Sequence, residues 1–181
     1  MDNVEKKSLL CQTIATAGLI QQLAETNFLN SDYYRSLTFD GLGTDGKILK
    51  GILNQSGIGN PATMLMYLYG LLVMPKELFK TNSQVDGVLK DTTNQFLSSC
   101  AVVLESTYQS DNPAFNYYRH LRNAVSHALY SFESPNNTSY TIFCDENSRT
   151  AERCKFRVNT EDMGILLSKI QYKLIELYNE L

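Results

Sequence analysis

The sequence predicts an all-α protein, a bundle of four to five main helices with one small β-hairpin inserted before the C-terminal helix. Three observations carry that reading. Apolar residues recur at steps of three and four along most of the chain. One region, about 139–158, changes to strand chemistry, rich in Thr, Ile, Phe and Val on either side of a polar connection. Hydrophobic residues make up 43% of the 181 and charged ones 19%, enough for one core and too apolar for a disordered chain. Residues 1–181 are therefore read as a single domain.

The first helix is expected from Val4 to about Leu29, with Leu9, Leu10, Ile14, Ala17, Leu23 and Ala24 on its apolar side. Lys6 and Lys7 ahead of Ser-Leu-Leu-Cys superficially suggest a signal peptide. Gln12, Thr13 and Thr16 break that run and the helical pattern continues past it, so it reads as the first helix of the mature protein. Asp32 to Asn60 holds six of the ten glycines and reads as a long loop interrupted by a short helix at Ile48–Leu53. Pro61 opens the next helix, Ala62 to Lys80, whose Ala62–Met74 stretch is apolar on every side and predicts burial all round, in the core or partly at a subunit interface. Pro75 kinks or ends it. A third long helix is expected from a Ser83–Asp86 capping pattern to about Tyr108. Asn112 and Pro113 then cap and open a helix to Phe132. Ser139–Cys144 and Arg153–Val158 form the hairpin, where Cys144 and Cys154 could face one another. Asn159 or Thr160 caps a last helix striped by Met163, Leu166, Leu167, Ile170, Leu174 and Leu177.

Several function classes are disfavoured. A net charge of −3 provides no overall basic field, so any phosphate contact must be local. The four cysteines are scattered without a C-x-x-C pair and there are two histidines, which argues against a structural zinc site; no metal and no cofactor is called for. The apolar run Ala62–Met74 is well short of the roughly 20 residues that cross a bilayer, so no membrane partner is expected. A cytoplasmic location with free thiols fits these features. Gly41-Leu-Gly-Thr-Asp-Gly-Lys47 fits G-x-G-x-x-G and nearly fits a phosphate-binding loop. Ile48 stands where the magnesium-binding hydroxyl would be, and no strands alternate with helices, so an exposed turn is the better account. Asp145 and Glu146 fit a solvated hairpin tip.

The 113–132 helix is different, because it holds both histidines and two arginines, Arg119 and Arg122. On a wheel of about 100° per residue, Ala114, Tyr118, Leu121, Val125, Ala128 and Phe132 form the apolar stripe. His120, Asn123 and His127 follow three–four spacing in one row on the far face. Arg122 and His127 are five apart, roughly 140° around the helix. They cannot share one face, so any cooperation needs a cleft or a partner.

A solvated basic face is the plain account of such a run. Its chemistry suits more. Histidine as a residue type moves protons near neutral pH, and an arginine fork matches phosphate oxygens and the charge that builds on them. Arg122-Asn-Ala-Val-Ser-His127 resembles the R-x4–6-H signature of the HEPN superfamily (higher eukaryotes and prokaryotes nucleotide-binding domains), which favours a polar residue after the arginine, here Asn123. The expected HEPN-like bundle, with its motif in a late helix, agrees with that resemblance.

The resemblance implies a metal-independent endoribonuclease that leaves a 2′,3′-cyclic phosphate at a site shared by two subunits of a homodimer. Arg122 would stabilise the phosphate, His127 would act as acid or base, and Asn123 would orient either. Arg119 and His120 stand outside the signature and are nominated as supporting substrate contacts. Many such proteins are toxins or defence effectors, which implies an RNA substrate and an antitoxin partner. The alternative is a non-catalytic module that binds nucleotide, RNA or protein, or a dimerisation domain using the apolar Ala62–Met74 helix.

Overall fold

The computed structural model describes residues 2–39, 45–80 and 82–178. Helix α1 (Asn3–Glu25) starts from a reciprocal capping box between Asp2 and Glu5 and buries Leu10, Ile14 and Ala17. It stops short of the expected Leu29, because Asn27 takes a left-handed conformation (φ 54°) and the chain tightens into a 3-10 turn over Phe28–Asn30. The expected glycine-rich loop contains two helices, α2 (Asp32–Ser36) and α3 (Gly46–Ser56), each capped by the residue before it, Ser31 and Asp45. Gly57 at φ +75° ends α3 in a conformation open to glycine at no steric cost. The call of an exposed turn at Gly41–Lys47 is corrected in part: Asp45, Gly46 and Lys47 are the cap and first turn of α3, and residues 41–44 lie outside the described residues.

Asn60 caps α4 (Pro61–Leu68), which runs through a widened π turn at Tyr69–Val73 into α5 (Met74–Leu78). Pro75 lies just after the wide turn, so the missing N–H and bulky ring are absorbed and the helix continues to Leu78. Burial is not all round as expected: Met64, Leu68, Leu71, Leu72 and Val73 face the core, while Met66 and Tyr69 are exposed. Gly70 allows α1 to come close, since a Cβ there would meet Thr13 Cγ2 at 2.9 Å.

Helix α6 (Ser83–Cys100) is capped by Asn82, one residue before the expected Ser83. It ends at Cys100 rather than near Tyr108, because Ala101 turns extended and Val102–Ser106 becomes strand β1. Similarly, the expected 113–132 helix contracts to α7 (Tyr117–Ser126), and Tyr130–Glu133 becomes β2. The expected hairpin forms as β3 (Tyr140–Glu146) and β4 (Arg153–Asn159). The small hairpin of the sequence reading is therefore half of a four-stranded antiparallel sheet, ordered β1-β4-β3-β2, in a protein that is otherwise mostly helical. A bulge between Val103 and Glu105 breaks the β1 register. Among the described residues no single helix is long and apolar enough to cross a membrane.

The C-terminal helix α8 (Thr160–Tyr178) buries all six stripe residues named from the sequence. It packs against α6, α1, α4 and β4, while α7 lies against β3 and α6. One face of the sheet meets these helices. On it stand the cross-strand pairs Thr141 with Val158, Phe143 with Phe156 and Asp145 with Cys154, all buried. The two phenyl rings stack at 5.4 Å. Cys144 pairs with Lys155 and so points to the opposite face from Cys154; the two thiols do not face one another.

Candidate functional site

Helix α7 starts where it does because its first N–H groups find side-chain partners. The Asn116 side chain accepts from Arg119 N–H (3.2 Å), and Asn94 of α6 accepts from Tyr118 N–H (2.8 Å). Its end is equally defined. Ala128 sits at φ +55°, Leu129 N–H donates to the Ala124 carbonyl (2.8 Å) and Ala128 N–H to that of Val125 (3.4 Å). This pair of bonds is a Schellman motif with alanine where glycine is usual. It fixes His127 as the last residue before the reversal, exposed at the helix end.

The outward row expected from the wheel divides. His120 is fully buried. Its Nδ1 lies 2.7 Å from Asp145 Oδ2 and its Nε2 lies 2.9 Å from Asp111 Oδ1, with the Tyr108 and Phe115 rings at 4.7 and 4.8 Å. The wheel placed His120 outside because its face would be solvated if α7 stood alone. Strand β3 and the 3-10 turn at Gln109–Asp111 cover that face instead. Asp145, expected at a solvated tip, is likewise buried, because it shares the inward face of β3 with Phe143.

Burial pushes both carboxyls up, but other contacts outweigh it. Hydrogen bonds from Ser106 and His120, and the His120 charge, hold Asp111 below its ordinary value. Hydrogen bonds from His120, Asn123 and Tyr108, with the same charge, do so for Asp145. Ionised carboxylates only accept, so the ring serves both of them by donating from both nitrogens. The 3.0 Å approach of Arg119 Nη2 to His120 Nε2 is then two donors converging on Asp111, not a bond between them. Arg119 is committed to this cluster: Nη2 to Asp111 at 3.1 Å, Nη1 to Ser110 Oγ at 2.7 Å, and its plane 4.8 Å over the Tyr108 ring. Burial and the Asp145 charge raise the Tyr108 phenol above its ordinary value, so it stays protonated.

Asn123 joins the two halves of the motif. Its Nδ2 donates to Asp145 Oδ2 (3.1 Å) and its Oδ1 accepts from Arg122 Nη2 (3.2 Å). Arg122 turns away from His127. It is half-buried, 5.7 Å over the Tyr118 ring, beside a pocket of charge in which Asp86 accepts from Tyr118 Oη (2.7 Å) and pairs with Lys76 (2.7 Å). His127, Asn123, Arg119 and Asp145 line an open cavity of about 350 Å³ whose other wall is the β3–β4 turn, residues 147–152. Arg122 is not among its lining residues. The chain therefore brings His127, Asn123 and Arg119 together and leaves Arg122 outside that cavity.

Sequence reasoning missed Asp111, Asp145 and Tyr108 as members of this cluster. For Asp145 a signal existed: an acid two residues beyond a core phenylalanine, in a strand, shares its buried face. A ring nitrogen of His120, a carboxylate oxygen of Asp145 and Cys154 Sγ lie within 4.8 Å of one another, a mixed donor set of the kind a metal takes. As placed, Nδ1 and Oδ2 stand 2.7 Å apart in a direct hydrogen bond, closer than the about 3.3 Å that two ligands of a tetrahedral zinc keep at bond lengths of about 2.0–2.1 Å. Burial and the Asp145 charge push the Cys154 thiol up to about 12, so it stands in the cluster as a neutral thiol beside the ion pair. The arrangement fits a hydrogen-bonded ion cluster better than a metal centre.

No curated protein and no solved structure matches the chain. A family model, described as HEPN pEK499 p136, matches residues 4–181, which includes the Arg122–His127 motif, the sheet and both terminal helices. The chain belongs to this HEPN family.

Proposed function

We propose that this protein is an endoribonuclease that cuts RNA by acid–base chemistry without a metal, at a site completed by a second copy of the chain. The observation that carries it is the separation within one helix. His127 and Asn123 open into a cavity at the end of α7, while Arg122 faces a different patch beside Tyr118 and Lys76. A partner protomer can bring its own arginine to this histidine. Membership of a HEPN family supports the nuclease class.

In this reading the ribose 2′-hydroxyl attacks the adjacent phosphorus, the bond to the 5′-oxygen breaks, and a 2′,3′-cyclic phosphate forms. His127 takes the hydroxyl proton or delivers one to the departing oxygen. Arg122 stabilises the charge that builds on the phosphoryl oxygens. Asn123, anchored to Asp145, holds the arginine. His120 acts from inside as a positioning group, since it reaches no solvent.

The test is incubation of purified protein with RNA in EDTA, followed by analysis of the new ends. Cleavage leaving cyclic phosphate ends is expected, and its loss in both His127→Ala and Arg122→Ala with unchanged circular dichroism. RNA left intact by the wild type, or cut equally by both variants, refutes the assignment. Mixing the two inactive variants should restore part of the activity; failure to do so would remove the two-subunit arrangement and leave the chemistry.

A further inference from the structure

The β3–β4 turn that walls the His127 cavity is a built structure. Asn147 Oδ1 accepts from Arg149 N–H (3.0 Å), Asn147 N–H donates to the Glu152 carbonyl (2.9 Å), and Ala151 N–H donates to the Asn147 carbonyl (2.9 Å). The Glu152 carboxylate accepts from Thr150 Oγ1 (2.8 Å) and from the Gln109 N–H (3.1 Å), which ties the turn to the segment carrying Asp111. Arg149 is thus presented into the cavity from a fixed backbone rather than from a slack loop.

The charges around the cavity are unequal in what they leave open. Of its two arginines, Arg119 is committed to Asp111, Ser110 and the Tyr108 ring. Arg149 is exposed, and its guanidinium has no hydrogen-bond, ion-pair or ring partner among the described residues. Two of the three lining carboxylates are occupied, Asp145 by His120 and Asn123, and Glu152 by Thr150 and Gln109. A phosphate placed beside His127 therefore meets one arginine free to form a forked, charge-assisted pair, and that arginine is Arg149.

We infer that Arg149 is a substrate-binding residue of this site, gripping an RNA backbone phosphate in the cavity that holds His127 of the same chain. The inference rests on the RNA reading and divides the labour between two arginines: Arg149 holds the strand, and Arg122 of a second copy meets the reacting phosphate.

The test uses the full chain and a 2′-O-methylated single-stranded oligoribonucleotide, which binds but cannot cyclise. Its affinity is measured by fluorescence anisotropy across a salt series for the wild type, Arg149→Gln and Arg149→Lys. Arg149→Gln should bind about tenfold more weakly at low salt and lower the slope of log K against log salt by about 0.7, the value of one phosphate on a single strand. Arg149→Lys should keep the slope, because it keeps the charge. Thermal unfolding should not move, since the side chain is exposed. A wild type that binds while Arg149→Gln matches it in affinity and slope overturns the inference and leaves the nuclease reading intact. A wild type that binds this strand but does not cut its unmodified form removes the catalytic reading while the Arg149 contact stands. No binding by the wild type overturns both.

Discussion

Replacing Asp145 by alanine tests the buried cluster that holds the motif helix to the sheet. His120 and Asp145 have side chains 0% and 4% exposed, so solvent screens their attraction little. Asp145→Ala leaves the imidazole with one carboxylate instead of two and strips Asn123 of its 3.1 Å acceptor. Breaking a buried pair in this way costs about 3–5 kcal/mol. At roughly 2–4 °C per kcal/mol for a chain of this size, that is a fall of about 6–20 °C in Tm. Asp145→Asn keeps the shape and an acceptor but not the charge, and should cost less, about 1.5–3 kcal/mol. The decisive measurement is a double-mutant cycle by urea unfolding. With His120→Ala already present, Asp111 and Asp145 are two buried carboxylates without the cation between them, so removing Asp145 then costs little or stabilises. The coupling expected is therefore about 3 kcal/mol or more, at the upper end of what such cycles give. An Asp145→Ala cost below about 1 kcal/mol, or additive single and double variants, would refute the ion-cluster account.

The same cluster sets a pH dependence. Asp111 and Asp145 are held below their ordinary values in the fold, so the unfolded chain binds more protons. Their stabilisation is complete above the unfolded value of about 3.9 and is lost as pH falls through the lower folded values. Urea midpoints of the wild type should therefore drop below about pH 4, and less steeply in Asp145→Ala. At the other end of the helix, Ala128→Gly should stabilise by about 1 kcal/mol, because φ +55° penalises a Cβ and not glycine. The readout is a Tm higher by roughly 2–4 °C, and an unchanged or lower Tm would mean that the left-handed turn carries no strain.

What the sequence revealed follows from how far each signal reaches along the chain. The stripe of α8 was legible to the residue, because one helix face against one core makes a strict three–four pattern. Strand β1 was not legible. It is an edge strand with Val102, Val103 and Leu104 all partly exposed, so it shows no alternation, and neither glycine nor proline separates it from α6. Strand β2 was hidden because Phe132 continues the spacing of α7, and the residue that breaks the helix is an alanine, which carries no stop signal. At the site, Arg122, Asn123 and His127 lie close in sequence and were read as one motif, but the fold puts Asn123 and His127 in one cavity and leaves Arg122 outside its lining. The partner of His120 comes from a strand 25 residues later, and only the register of that strand could show that Asp145 points inward.

That separation has a consequence for the newborn chain. Translation delivers α7 before β3, so for a time the histidine lacks one of its two acids and Asn123 lacks its anchor. Positioning of the motif must wait until the hairpin has emerged and folded back over the helix. The order of the chain thus makes the geometry of α7 depend on a strand made after it, and the motif is set only when the sheet closes over the helix.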